Sequence, residues 1–190
     1  ATDISTGSRV GFLQSAFAEN WREATGILLG GDTYFPESRP RGALAIQSVK
    51  SSPASGAAEA YLLFLLAIDG ASSSIYLTNP YFVPDEAMMD ALVRAAQRGV
   101  DVSIITAGVT QGLLDRLVRL SSQTHFPRAS KAGVKIYEYA PALLHAKTMV
   151  IDGRWSSIGS ANLDNRSFAL NAELNLVFLD PGIARRLTDV

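Results

Sequence analysis

The longest uninterrupted apolar run in this sequence, from Ala60 to Ile68, is nine residues, and that limit governs what the chain can fold into. A helix that crosses a bilayer needs about twenty consecutive apolar residues. The run is therefore expected to be a buried helix inside a packed domain, and no segment looks like a membrane span or a targeting signal. On either side of it, helical and strand-like patterns alternate. Val10, Leu13, Ala16, Phe17 and Trp21 recur at helical spacing, which predicts an amphipathic helix over residues 10–24. A loop or linker is expected over 32–42, where Pro36, Pro40 and Gly42 punctuate the chain.

Beyond that loop a strand is expected over 44–49, a polar turn over 51–56 and the buried helix over 57–69. A strand follows at 74–78. Asp85 comes after Pro84 and is placed to cap a helix whose apolar face holds Met88, Met89, Leu92, Val93 and Ala96, ending at Gly99. Further strands are expected at 100–105, 134–139, 146–151, 156–158 and 173–179, with a helix over 113–120. Residues 181–190 look like the opening turns of another helix, and Ala1 takes the place of an initiator methionine. The chain is thus expected to be an excerpt of a longer protein. Alternation followed by a strand-rich last third predicts an α/β fold, a layered sandwich around a central mixed β-sheet.

Composition narrows the chemistry. With 47% hydrophobic and 18% charged residues among 190, the chain has ample material for one core. A formal net charge of -1 argues against a protein whose affinity comes from neutralising many phosphates of a nucleic acid. The absence of cysteine rules out a disulfide framework, a thiolate metal site and a cysteine nucleophile. His125 and His145 are the two histidines.

Chemistry concentrates between Leu144 and Asn162. His145 and Lys147 stand two apart, and on a strand that spacing would put imidazole and ammonium on one face. Asp152-Gly153 is a hairpin signal that should fold the next strand back, bringing Gly159, Ser160 and Asn162 near His145 and Lys147. A fixed cation, a hydroxyl, an amide and a titratable ring together suit a phosphoryl group. Lys147 and Asn162 would hold its oxygens. His145 would either attack phosphorus, forming a phosphohistidine, or protonate the leaving alcohol.

The pattern formed by His145, Lys147, Asp152, Gly159, Ser160 and Asn162 resembles the signature of the phospholipase D superfamily. Residues 79–85 (NPYFVPD), 98–102 (RGVDV), 133–139 (GVKIYEY) and 160–167 (SANLDNRS) look like the second catalytic half of bacterial cardiolipin synthases. Residues 9–24 resemble the helix that follows the first motif in those enzymes. The resemblance implies a phospholipase D-like α/β/α sandwich in residues 43–190, preceded in 1–42 by a helix and linker that follow a missing first half. It implies a site that needs no metal or other cofactor, built from two motifs, with one histidine as nucleophile and the other as acid and base.

On that resemblance the catalytic residues are His145, Lys147, Asp152 and Glu173, with Glu173 orienting the imidazole and Asp152 bracing the turn. Lys147, Ser160 and Asn162 would bind phosphate. The expected reaction is phosphatidyl transfer between two phosphatidylglycerol molecules with release of glycerol. Hydrolysis by the same site, as in a phospholipase D or a nuclease, and a non-catalytic phospholipid-binding module are the alternatives. One motif is present where two are needed, and Pro127 stands where a lysine would have to follow His125. The second half must come from the same full-length chain or from a homodimer.

Several residues stay open between roles. Tyr81 and Phe82 are either headgroup contacts or core, and Arg166 serves either a salt bridge or the site. Between Arg94 and Lys135 there are seven basic residues and two acidic ones, which suits an anionic membrane surface or a solvated face. Partners are thus expected to be a phospholipid and a membrane surface, with no nucleic acid, and the full-length protein is expected at the bacterial inner membrane.

Overall fold

A computed structural model describes residues 3–6, 10–37, 44–52, 59–109 and 112–189. The expected boundary near residue 42 and most of the polar turn at 51–56 lie outside the described residues. Helix α1 (Val10–Thr25) matches the amphipathic pattern. Strand β1 (Asp3–Thr6) pairs with β2 (Ala45–Ser51) antiparallel, so the first described residues join the same sheet as the rest of the chain. Glu19 of α1 forms an ion pair with Lys50 of β2.

The apolar run becomes α2 (Glu59–Asp69), which buries Ala60, Phe64 and Ile68. Strand β3 (Ser74–Thr78) and the short β4 (Phe82–Val83) lead into α3 (Glu86–Gln97). Asp85 caps α3 as expected, accepting a hydrogen bond from the Met88 amide at 2.9 Å. Its other carboxylate oxygen accepts from the Tyr61 hydroxyl at 2.7 Å and ties α3 to α2. Burial of Met88, Met89, Leu92 and Ala95 holds the helix against the sheet, each large side chain contributing about 1.5–3 kcal/mol.

Strand β5 (Asp101–Ala107) precedes α4 (Leu113–Lys131), which runs eleven residues past its expected end at 120. Apolar periodicity fades after Leu120, yet Phe126 and Ala129 pack on the core. Tertiary burial extends the helix through Pro127 in spite of the missing amide proton. The remaining elements are β6 (Lys135–Tyr139), β7 (Thr148–Ile151), β8 (Trp155–Gly159), β9 (Leu163–Asp164), α5 (Asn165–Ala169), β10 (Glu173–Leu179) and α6 (Pro181–Thr188).

Among the described residues eight strands form one sheet in the order β1-β2-β10-β8-β7-β3-β5-β6. The β3–β5 and β5–β6 pairs are parallel and the others antiparallel, so the sheet is mixed and the fold is α/β. Ile75, Leu77, Val102, Ile104, Met149 and Ile151 point to the side packed by α2, α3 and α4, where the main core lies. Alternate residues, Tyr76, Thr78, Ser103, Ile105 and Val150, line the other side together with Leu187 of α6. Among the described residues no helix is long and apolar enough to cross a membrane.

Candidate active site

The β7–β8 hairpin organises the motif. Its turn places Asp152 and Gly153 in the left-handed region, at φ 53° and 61°, a conformation that glycine and aspartate tolerate best. The Asp152 carboxylate accepts hydrogen bonds from the amides of Ser72, Ser73 and Ser74 and from the hydroxyls of Ser72 and Ser73, at 2.7–3.2 Å. Burial opposes its ionisation, but the hydrogen bonds from Ser74, Ser73 and Ser72 outweigh burial and hold the carboxyl well below its usual range. Asp152 sits at the turn end of the hairpin, away from the end where the other motif residues gather. It anchors the turn to the start of β3.

At the opposite end, the Gly159 amide donates to the Lys147 carbonyl at 3.1 Å, which aligns the two arms of the motif. A side chain at Gly159 would collide with the Asn175 amide oxygen and stand 2.5 Å from the Leu174 carbonyl oxygen. Only glycine lets β8 approach β10 so closely.

Lys147 is buried, 8% exposed, and its Nζ donates to the main-chain carbonyl of His145 at 2.8 Å. Burial pushes its ammonium down from the ordinary range, while the Glu173 and Asp164 carboxylates pull the other way. Asn79, Phe64, Leu77, Ser157 and Ala161 surround it in a small gap. His145 is exposed and lines a cavity of about 860 Å³ with Tyr76, Tyr137, Tyr139, Leu143 and Leu144. Among the described residues neither ring nitrogen has a hydrogen-bond partner.

The expectation of one shared strand face is thus corrected. Strand β7 begins at Thr148, and the β3–β7 ladder stops at the Thr78–Thr148 pair. The Asn79 amide turns away to the Ile105 carbonyl. With β3 no longer alongside, residues 145–147 leave the strand, held to β8 through the Lys147 carbonyl and the Gly159 amide, and imidazole and ammonium are linked through the main chain.

Glu173 opens β10 at 6% exposure. Its carboxylate accepts from the Ser160 hydroxyl and, at 3.0 Å, from the Asn171 side-chain amide. Its partners are therefore Ser160 and Asn171, not the His145 ring. Ser160 Oγ also accepts from the Leu174 amide at 3.0 Å, so the hydroxyl is locked between two neighbours. Asn162 is half-buried, and its amide donates to Ser167 Oγ at 3.1 Å. Its side-chain oxygen is buried with no hydrogen-bond partner among the described residues. Asp164 caps α5 by accepting from the Ser167 amide at 2.7 Å. Lys147, Ser160 and Glu173 are therefore gathered at one end of the hairpin, with Asn162 two residues beyond Ser160 and His145 at the surface beside them.

Tyr81 borders the His145 opening, and its hydroxyl donates to Asp115 at 3.0 Å. Burial, and then the Asp115 carboxylate, push its phenol up. Phe82 is fully buried on β4 and packs edge-to-face with His125, ring centroids 6.5 Å apart. Such a residue offers no surface to a headgroup. Burial pushes His125 down, with Glu86 opposing. Arg166 is exposed on α5. Sequence reasoning did not single out Asn79, Asp164 or Asn171, although Asn79 and Asp164 lie inside segments 79–85 and 160–167 that carry the family resemblance. A polar residue at the end of a strand was the available signal. Among the described residues no group of three His, Asp or Glu side chains could hold a metal ion.

The family model described as "Cardiolipin synthase, PLD-like domain" matches residues 64–190. Cardiolipin synthase A of Pseudomonas fluorescens (strain SBW25) is 37% identical over 186 residues, 96% of this chain and 37% of that protein. Cardiolipin synthase A of Pseudomonas aeruginosa (strain LESB58) is 41% identical over 178 residues, 94% of this chain and 35% of that protein. The chain thus spans little more than a third of these relatives. Among solved structures, Nuc from Salmonella typhimurium, a phospholipase D family member, superposes with a TM-score of 0.64 at 26% identity, covering 77% of this chain and 90% of its own. Phosphatidylserine synthase of Haemophilus influenzae Rd KW20 shares the fold, with a TM-score of 0.62 at 17% identity, over 80% of this chain and 40% of its own.

Proposed function

The chain belongs to the cardiolipin synthase group of phospholipase D-like domains, and from that premise we propose that it is the second half of a transphosphatidylase site. The first half is supplied either by the rest of a longer protein, with residues 1–42 as the connecting helix and linker, or by a second copy. One observation carries the reading: Lys147, Ser160 and Glu173 meet at one end of the β7–β8 hairpin, with Asn162 close by, next to an exposed His145.

In the proposed reaction one of the two imidazoles attacks the phosphorus of phosphatidylglycerol. A P–N bond forms and the P–O bond to glycerol breaks, the leaving oxygen taking a proton from the other imidazole. A hydroxyl of a second phosphatidylglycerol then gives its proton to that imidazole and attacks phosphorus. The P–N bond breaks, and the products are glycerol and a dimeric lipid. His145 fills one of the two imidazole roles. Lys147 and Asn162 hold the non-bridging oxygens, where a desolvated cation acts with little reorganisation. Glu173 and Asp164 favour the charged form of Lys147, and Ser160 holds Glu173 in place. No metal or other cofactor is required, and the protein works at an anionic membrane, the bacterial inner membrane.

His145→Ala in the two-motif assembly is the direct test. The exposed side chain should be lost without unfolding, and product formation should fall at least about a thousandfold. Normal turnover overturns the reading. The 26% identity to a phospholipase D family member keeps water as the alternative acceptor. Chromatography of products from labelled phosphatidylglycerol separates the two, phosphatidic acid marking hydrolysis and a dimeric lipid marking transfer. A protein that binds phospholipid vesicles with no turnover, even with both motifs present, would be a binding module.

A further inference from the structure

Leu113, Leu117 and Leu120 of α4 are 74%, 55% and 58% exposed. Their spacing of four and three residues puts them on one helical face. Arg116 flanks this stripe, and Lys131 lies on the same face at the end of the helix, both exposed. Among the described residues no ion pair engages either cation. The other basic residues of α4 are committed elsewhere: Arg119 to Glu138, and Arg128 to Glu86 and Asp90. The one acid of the helix, Asp115, turns inward and accepts from Tyr81. The exposed face therefore combines apolar side chains with free positive charge and carries no carboxylate of its own helix.

Position gives this face a meaning. Asp115, on the inner side of the same two turns, and Arg119, at the edge of the leucine face, line a cleft with Tyr81, Leu143, Leu144 and His145. Leu143 is itself 48% exposed and continues the apolar surface from α4 toward the His145 opening. A helix face of leucines flanked by cations is the arrangement that lies in the headgroup region of an anionic bilayer, with the leucines in the acyl boundary and the cations at the phosphates.

We infer that the Leu113–Leu117–Leu120 face of α4, with Arg116 and Lys131, docks this domain on an anionic phospholipid bilayer and presents the His145 opening to the lipid surface. The inference rests on the reading of the site as one that acts on lipids, and it adds the surface and the orientation. Charge complementarity selects the bilayer over an apolar protein groove, which would leave both cations without partners.

Co-sedimentation of the 190-residue chain with phosphatidylglycerol vesicles, and with phosphatidylcholine vesicles as the neutral control, tests it. The triple variant Leu113→Ser, Leu117→Ser, Leu120→Ser removes exposed side chains only, and circular dichroism checks that it is folded. Binding to phosphatidylglycerol should weaken at least about tenfold in the triple variant. Arg116→Gln should weaken it about fivefold and leave binding to phosphatidylcholine unchanged. Two results overturn the inference: absence of binding by the parent chain to phosphatidylglycerol vesicles, or a folded triple variant that binds as tightly as the parent. A triple variant that turns a dimer into a monomer, by sedimentation velocity, at unchanged vesicle binding would also overturn it and assign the face to a second copy. No turnover is measured, so a failed docking surface leaves the proposed reaction standing, and a failed reaction leaves the docking result standing.

Discussion

Lys147 donates from its Nζ to the carbonyl oxygen of His145 at 2.8 Å, so the cation of the motif clasps the main chain that carries its histidine. The clasp keeps a buried ammonium partly satisfied where an unpaired one would be costly. It also fixes the point from which the imidazole leaves the backbone. The pair sits just before the start of β7, where the Gly159 amide of β8 holds the Lys147 carbonyl and the ammonium holds the carbonyl of His145.

The charge of Lys147 should depend on Glu173. Burial lowers the lysine, and Glu173 and then Asp164 raise it, so Glu173→Gln removes a raising influence and the ammonium gives up its proton at lower pH. In the two-motif assembly the alkaline limb of the pH–rate profile should move to lower pH, with the acidic limb unchanged. A purely structural Glu173 would lower activity at every pH and leave the limb in place.

Asp152 should support the fold and not the chemistry. Asp152→Ala removes the acceptor of the Ser72–Ser74 amides and should cost about 1–2 kcal/mol in urea unfolding at pH 7, the lower range applying because the carboxylate is partly solvated. Its folded pKa lies below the unfolded one, so this stability is present above about pH 4 and is lost as pH falls further. The parent and the variant should therefore converge in acid. The gap should narrow gradually from about pH 4 downward, and a gap that widens as pH falls contradicts the assignment.

Gly159 should tolerate no side chain. In Gly159→Ala the new methyl meets the Asn175 side chain and the Leu174 backbone, and overpacking of this kind costs roughly 1–3 kcal/mol. Thermal unfolding measures it, and an unchanged midpoint would mean that β8 and β10 separate freely. Asn175→Ala should recover part of the loss, whereas the backbone clash with Leu174 should remain.

Pro127 should be a removable cost. Inside α4 it lacks the amide proton that would reach the Gln123 carbonyl. Its position is exposed, so Pro127→Ala should stabilise the chain by about 1–2 kcal/mol. Urea unfolding midpoints of the two proteins decide the sign, and a destabilised variant would show that the ring contributes packing.

Much of this architecture was legible in the residues because the signals were local. Asp85 is a capping residue next to an apolar helical face, and Asp152-Gly153 is a turn pair between two strand-like segments. Each acts within a few positions of itself. The C-terminal half of α4 was not legible, because Phe126 and Ala129 are held by core contacts from distant elements, and local reading finds only a fading pattern and a proline. The strand start at Thr148 was missed for a related reason. Where β7 stops pairing depends on the route taken by Asn79, just past the end of β3.

The sequence by itself determined the family, the residue types at the site and the register of the hairpin that brings Gly159 and Ser160 back to Lys147. These follow from spacing, since a turn and two strands fix which residues face each other. Tertiary structure alone decided how those groups are held. It turned Glu173 toward Ser160 and Asn171, buried Lys147 beneath the main chain of His145, withdrew Phe82 into the core and left the leucines of α4 uncovered. The physical reason is that burial and hydrogen-bond partnership are properties of the packed whole, set by elements far apart in the chain. A linear pattern specifies which side chains are available, and packing specifies which of them remain free to act.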